Sequence, residues 1–214
     1  MTFFQGQSLS ILLGKISSLS SSLPFLAGLF TYRKLTTPMR LLFALFLIAA
    51  GTDIVGVYLR SQGIQNIWLF TVYIIVEPAF LLWIISYWYN SLRVKQLSFI
   101  GLGLYSLFVI GCQIIWGPGA LYLEINAVRS VLLSIAMLYT MLNLEDIRLS
   151  FVRDHRFWVL TAYFVYFTGT AVMYTAGLFT TMEVYGKMYA IAHSGLNIPS
   201  NIVIAGAFLL CHRR

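Results

Sequence analysis

Seven long apolar stretches, at residues 8–30, 38–59, 66–89, 97–116, 120–142, 157–179 and 187–211, alternate along the chain with short polar breaks. Crossing the hydrocarbon layer as a helix takes roughly 20 mainly apolar residues, and each stretch meets that length. Membrane β-strands would run to about ten residues with alternating polarity, a pattern missing here. A helix also satisfies its own backbone polar groups where no water is available to do so. The pattern predicts an all-α polytopic membrane protein, a bundle of about seven transmembrane helices forming a single membrane domain over 1–214.

The breaks carry loop chemistry: TYRKLTTP at 31–38, RSQGIQN at 60–66, NSLRVKQ at 90–96, GPGA at 117–120, LEDIRLSFVRDHR at 144–156 and TTMEVYGK at 180–187. Their cations set the orientation, because cytoplasmic loops hold the excess of Lys and Arg. Arg33, Lys34, Arg40, Arg93, Lys95, Arg148, Arg153, Arg156, Arg213 and Arg214 fall on one side, and only Arg60 and Lys187 on the other. The N-terminus is therefore expected outside and the C-terminus in the cytoplasm. Trp68, Trp116, Tyr122 and Tyr185 then lie at outer helix ends, and Trp88, Tyr89 and Trp158 at inner ends, where aromatic belts sit.

Composition agrees with a lipid solvent. Hydrophobic residues make up 59% of the chain and charged residues 10%, against about 25% charged in soluble domains. The net charge of +7 is explained by the loops, so nucleic acid is not an expected partner. The first residues, MTFFQGQSLSILLGKISS, lack the cationic start and small-residue cleavage site of a signal peptide. Ser10, Gly14, Ser18 and Ser22 recur every fourth residue, a spacing that lets a neighbouring helix approach closely. Cys112 and Cys211 are expected near opposite membrane faces, too far apart for a disulfide.

Ionisable residues at membrane depth cost ~2.5–3.5 kcal/mol each and mark functional sites by default. The candidates are Lys15, Asp53, Glu77, Glu124, Arg129 and His193, none of them expected in the cytoplasmic half. Tyr189, His193, Asn197 and Asn201 repeat at four-residue spacing on one helical face. Tyr73 stands one turn before Glu77, and Asn126 one turn before Arg129. A polar cavity in the outer half follows, with Asp53, Tyr73, Glu77, Asn126, Arg129, His193, Asn197 and Asn201 as its ligand-binding residues. Glu77 is expected to matter more than Asp53 to the ligand. Structural uses of the same residues are an Arg129 ion pair with Glu77 or Asp53, and an interhelical hydrogen-bond clasp made by His193 with Asn197. Lys15 and Glu124, nearer the surface, can snorkel.

Familiar catalytic patterns do not occur. There is no HExxH or Cys/His ligand spacing, no GxSxG elbow and no glycine-rich phosphate loop, so no metal or cofactor is expected. Lys187 lies at the end of its helix, where it cannot serve as a retinal lysine. AAGTDIVG (49–56) and YFTGTAVM (166–173) echo one another, each followed by a helix holding a proline, Pro78 and Pro199. That suits a three-plus-one-plus-three repeat.

The segments GTDIVGVYL (51–59), NIWLFTVYIIVEPAFLLW (66–83) and YAIAHSGLNIPSNIVIAGAF (189–208) resemble an uncharacterised family of small seven-helix membrane proteins from Bacteroidota. Thr52, Asp53, Tyr73, Glu77, His193, Asn197 and Asn201 match its pattern, and Pro78 departs from it where an aromatic residue would be expected. The resemblance implies the seven-helix fold and brings no activity with it.

Three functions remain in order. The first is a receptor- or sensor-like module binding a small ligand or lipid in the outer cavity, with a signalling partner protein to carry the output. The second is a small transporter. The third is an intramembrane lipid-modifying enzyme using Glu77 and His193 as acid and base.

Overall fold

The computed structural model describes residues 12–89, 91–119, 121–144 and 151–212. Ser10, Arg148, Arg213 and Arg214, used in the sequence argument, lie outside them. Seven helices are long and apolar enough to cross a membrane. We label them α1 (Leu12–Lys34), α2 (Thr37–Ser61), α3 (Ile67–Ser86), α4 (Leu92–Trp116), α5 (Tyr122–Leu142), α6 (His155–Gly177) and α7 (Met182–His212). The expected count holds, and the ends shift. α4 starts at Leu92 rather than 97 and α7 at Met182 rather than 187, because a helix continues into the headgroup layer, where Arg93 and Lys95 are readily solvated.

α1 is broken at Ser21. The hydroxyls of Ser20, Ser21 and Ser22 each bond back to the carbonyl three residues earlier, at 2.7, 2.6 and 2.6 Å, a habit that bends helices. Pro24 also removes a backbone donor from the same turn. The small-residue face is not the one the four-residue spacing suggested. Ser18 and Ser22 are exposed, whereas Ser17, Ser20, Pro24, Ala27, Gly28 and Thr31 are buried. The buried positions Ser17, Ser20, Pro24, Ala27 and Thr31 alternate at three- and four-residue spacing through Ser21, the helical face one residue round from Ser18 and Ser22.

Helix contacts close a ring. α1 packs on α2, α2 on α3, α3 on α5, α5 on α6, α6 on α7, and α7 back on α1. α4 stands outside it against α3. The ring therefore consists of two arcs, α1–α3 and α5–α7, each consecutive in sequence, and α3 and α7 face each other across it. At residue level the AAGTDIVG/YFTGTAVM echo does not carry through. A Cβ on Gly169 would collide with the side chain of Leu196, whereas one on Gly51 would meet nothing within 4 Å.

In the orientation set by loop charge, the inner half of the ring is solid. Met39, Leu42, Leu81, Ile84, Leu160, Phe167, Ile204 and Phe208 belong to one core in which all six ring helices take part. Trp88 and Tyr89 are buried in that core at 8% and 7% exposure, not placed in an aromatic belt. The turn after α3 folds them inward, with the Tyr89 ring 6.1 Å from that of Tyr139. Trp68 and Trp116, by contrast, are exposed at 54% and 59%, as headgroup-level indoles would be. A smaller cluster of Ile74, Tyr105, Val109, Cys112 and Ile125 fastens the outer half of α4 to α3 and α5. Cys112 and Cys211 are both free and buried, in separate clusters.

Pro78 inside α3 cannot donate to the carbonyl of Ile74, one turn back. The Tyr105 hydroxyl of α4 donates to that carbonyl instead, at 3.5 Å. At the inner end of α6, Asp154 is the N-cap, accepting from the Arg156 backbone N–H at 2.9 Å and from its guanidinium Nη2 at 2.6 Å. Burial raises the Asp154 carboxyl, but the hydrogen bonds and charge of Arg156 outweigh it and hold the group below the usual carboxylate range.

Candidate functional site

Above the solid core lies a cavity of about 360 Å³, bounded by residues of all six ring helices and by none of α4. It takes in the outer half of α3 and α5 and the middle of α7. The eight residues expected from the sequence, Asp53, Tyr73, Glu77, Asn126, Arg129, His193, Asn197 and Asn201, all line it. Thr52 lines it too.

The polar side chains differ in how far they are already engaged. Glu77 is buried on α3 and Arg129 on α5, and Arg129 Nη1 donates to Glu77 Oε2 at 2.7 Å. The Tyr73 hydroxyl donates to the other oxygen, Glu77 Oε1, at 3.3 Å. Both carboxylate oxygens are thus occupied. Arg129 Nε is buried without a partner among the described residues.

On α7 the sequence expected His193 and Asn197 to make an interhelical hydrogen-bond clasp, and the structure shows one with Asn201 in place of His193. Asn197 Nδ2 donates to Ser17 Oγ at 2.9 Å and Asn201 Nδ2 to Ser20 Oγ at 3.0 Å. These bonds tie α7 to α1. The shorter serine side chains let the two helices approach closely enough for the asparagines to reach across. His193 stacks on Tyr189 instead, with ring centroids 5.0 Å apart and planes 8° from parallel. Its Nδ1 is buried without a partner among the described residues. Asn126 donates to the Tyr122 carbonyl of its own helix at 2.7 Å, leaving its carbonyl oxygen for the cavity.

Asp53 is different. It is exposed on α2 while lining the cavity, and no hydrogen bond or ion pair of its side chain occurs among the described residues. Lys15 is exposed and Glu124 half-buried, and neither lines the cavity.

The tyrosines were largely missed. Tyr122, Tyr163, Tyr166, Tyr174 and Tyr189 join Tyr73 around the space. Tyr122, expected in the outer aromatic belt, sets its ring against Tyr174 at 6.2 Å in an edge-on contact, and the Tyr174 and Tyr189 hydroxyls are 3.4 Å apart. Tyr163, Phe167, Thr170 and Tyr174 recur at helical spacing, which would have shown a semi-polar face of α6. Among the charged lining residues, the carboxylates of Asp53 and Glu77 face the single guanidinium of Arg129. The arrangement offers aromatic walls, hydroxyl and amide groups and one uncompensated carboxylate. No protein-family model, curated protein or solved structure matches the chain.

Proposed function

We propose that this multi-pass membrane protein is a receptor-like module of the bacterial inner membrane that binds a small molecule in the outward-facing cavity. The observation that carries the reading is the convergence of polar groups from six helices on one space whose inner side is closed by packed side chains. Binding sites usually combine apolar or aromatic walls with a few placed polar groups, and this one does.

Glu77 is already satisfied by Arg129 and Tyr73, so its part is to hold the two arcs together at cavity level. The open carboxylate is Asp53, and we assign it the first contact with the ligand. Tyrosine faces favour cations, and Asp53 supplies the counter-charge. The ligand class is therefore a compact organic cation with an apolar body, and its signal would pass to a partner protein.

A thermal-shift screen on the purified full chain tests this with alkylammonium compounds and carboxylates of matched size. Ammonium compounds should raise the melting temperature, and Asp53→Asn should abolish the rise while leaving the unliganded protein as stable. A preference for carboxylates would overturn the assignment.

One observation favours the transporter as a second reading. The ring is made of two consecutive three-helix arcs, with α3 and α7, each holding a proline near its middle, opposed, an arrangement suited to alternating access around a central site. Uptake of the same compound into proteoliposomes would select this reading, and saturable binding without flux would select the receptor.

A further inference from the structure

α4 is fastened to the ring in its outer half through Tyr105, Val109 and Cys112, and at its inner end through Val94, which packs on the main core. Between these attachments it leaves a largely apolar groove of about 420 Å³ against α3 and α5, with Arg129 also in its lining. Ser98, Gly101, Leu102 and Phe108 of α4 form one wall, and Pro78, Leu82, Leu132 and Ala136 of α3 and α5 the other. Its rims are open to the bilayer, since Leu104 and Leu132 are exposed at 64% and 49%. From Ser98 to Phe108 it runs ten residues, ~15 Å at the rise of an α-helix. That is about half the ~30 Å hydrocarbon core, the depth of one leaflet.

The inner end of the groove is basic. Ser91, Lys95, Ser98, Leu102 and Tyr105 recur at i, i+4, i+7, i+11 and i+14, one continuous face of α4. Ser91 is the N-cap of α4 and makes no side-chain capping bond, and the first turn holds no acidic residue. Arg93 and Lys95 follow within that turn and the next. Helix N-termini and cations both attract anionic groups, and α4 carries no carboxylate anywhere along Leu92–Trp116. A bilayer lipid entering here meets hydrocarbon-lined space one leaflet long, with positive charge where its headgroup must stay.

We infer that the α3/α4/α5 groove holds one acyl chain of an anionic phospholipid from the inner leaflet, with its phosphate at the first turns of α4 beside Lys95. The groove shares Arg129 with the cavity inside the ring, but the phosphate contacts assigned here, at the first turns of α4, lie outside that cavity.

Gly101 makes the groove testable. A Cβ there meets nothing within 4 Å, so Gly101→Leu fills the groove without a clash and improves helix propensity. Gly103, equally open and not part of the groove lining, gives the control Gly103→Leu. Native mass spectrometry of the detergent-solubilised full chain, titrated with phosphatidylglycerol or phosphatidylcholine, reads the outcome. The unaltered protein should hold one saturable phosphatidylglycerol in preference to phosphatidylcholine, and Gly101→Leu should lose it while Gly103→Leu keeps it. Lys95→Gln should cut the preference for phosphatidylglycerol about fivefold, the size expected of one cation at an anionic surface, and leave chain binding intact. Overturning results are no saturable lipid on the unaltered chain, equal retention or equal loss in the two glycine variants, or an unchanged preference in Lys95→Gln.

Discussion

Arg129 on α5 and Glu77 on α3 meet at 2.7 Å, across the seam where one three-helix arc of the ring touches the other. Both are buried, so the pair is costly to break on one side. Glu77→Gln should lower unfolding stability by about 3–5 kcal/mol, because it leaves a buried guanidinium without its counter-charge. Replacing both residues by leucine should recover most of the loss. Thermal or denaturant unfolding of the single and double variants in detergent checks this, and a Glu77→Gln protein of unchanged stability would refute the structural role.

Asp53 should behave in the opposite way. It is exposed and bonded to nothing among the described residues, so Asp53→Asn should stay within about 0.5 kcal/mol of the parent, as surface substitutions do. Its effect belongs in ligand binding, and isothermal titration with a compound that stabilises the parent measures it.

Gly28 sits where α1, α2 and α7 crowd together. A Cβ there would lie 2.5 Å from the Phe43 ring and 3.4 Å from Phe208. The Phe43 ring is held in turn by Phe25, stacked at 5.6 Å, and has little room to give. Gly28→Ala should cost about 1–3 kcal/mol as an overpacked site, whereas Gly103→Ala on open helix surface should cost nothing. Melting curves of the two variants distinguish a close approach from a general intolerance of glycine replacement.

Acid should weaken the inner end of α6. The Asp154 carboxyl is held below its ordinary range in the folded protein, so it binds a proton less readily there than in the unfolded chain. Its contribution is complete above the ordinary carboxylate value and fades as pH falls below about 4 through the depressed one. Asp154→Ala should remove about 1 kcal/mol, the usual worth of an N-cap, and flatten stability against pH in that window. Unfolding measured at several acidic pH values reads both effects.

Orientation has a direct test, helped by the burial of both native cysteines. Gln62→Cys, in the turn between α2 and α3, should react with a membrane-impermeant maleimide added outside intact cells. Labelling solely from the cytoplasmic side would invert the topology.

The helices were legible because hydrocarbon imposes a length and excludes charge. The eight candidate residues were legible because buried charge and amide groups are too costly to be placed idly. What resisted reading was anything that depends on which neighbour a face meets. A tyrosine has the same amphipathic chemistry whether it sits at a headgroup, in a core or beside a polar cavity. Tyr89, near a helix end, is buried in the core, whereas Tyr122 is exposed at the outer end of α5 as expected and lines the cavity as well. α1 carries small residues on two neighbouring faces, Gly14, Ser18 and Ser22 on one and Ser17, Ser20, Ala27 and Gly28 on the other, and spacing alone does not say which of them meets α7. The partners of Asn197 and Asn201 lie on α1, some 180 residues away in sequence, and no local pattern announces a bond over that separation.

The helix that stands apart from the ring also fixes its parity. Each membrane crossing reverses the direction of the chain, so a three-helix arc leaves the bilayer on the side opposite to where it began. Joined directly, α5–α7 would be threaded upside down relative to α1–α3, and Arg153 and Arg156 would be delivered to the outer face. One additional traverse by α4 brings the count to four, an even number, so the second arc starts on the side where the first began. Both halves then run in the same sense, whatever else α4 does at the periphery.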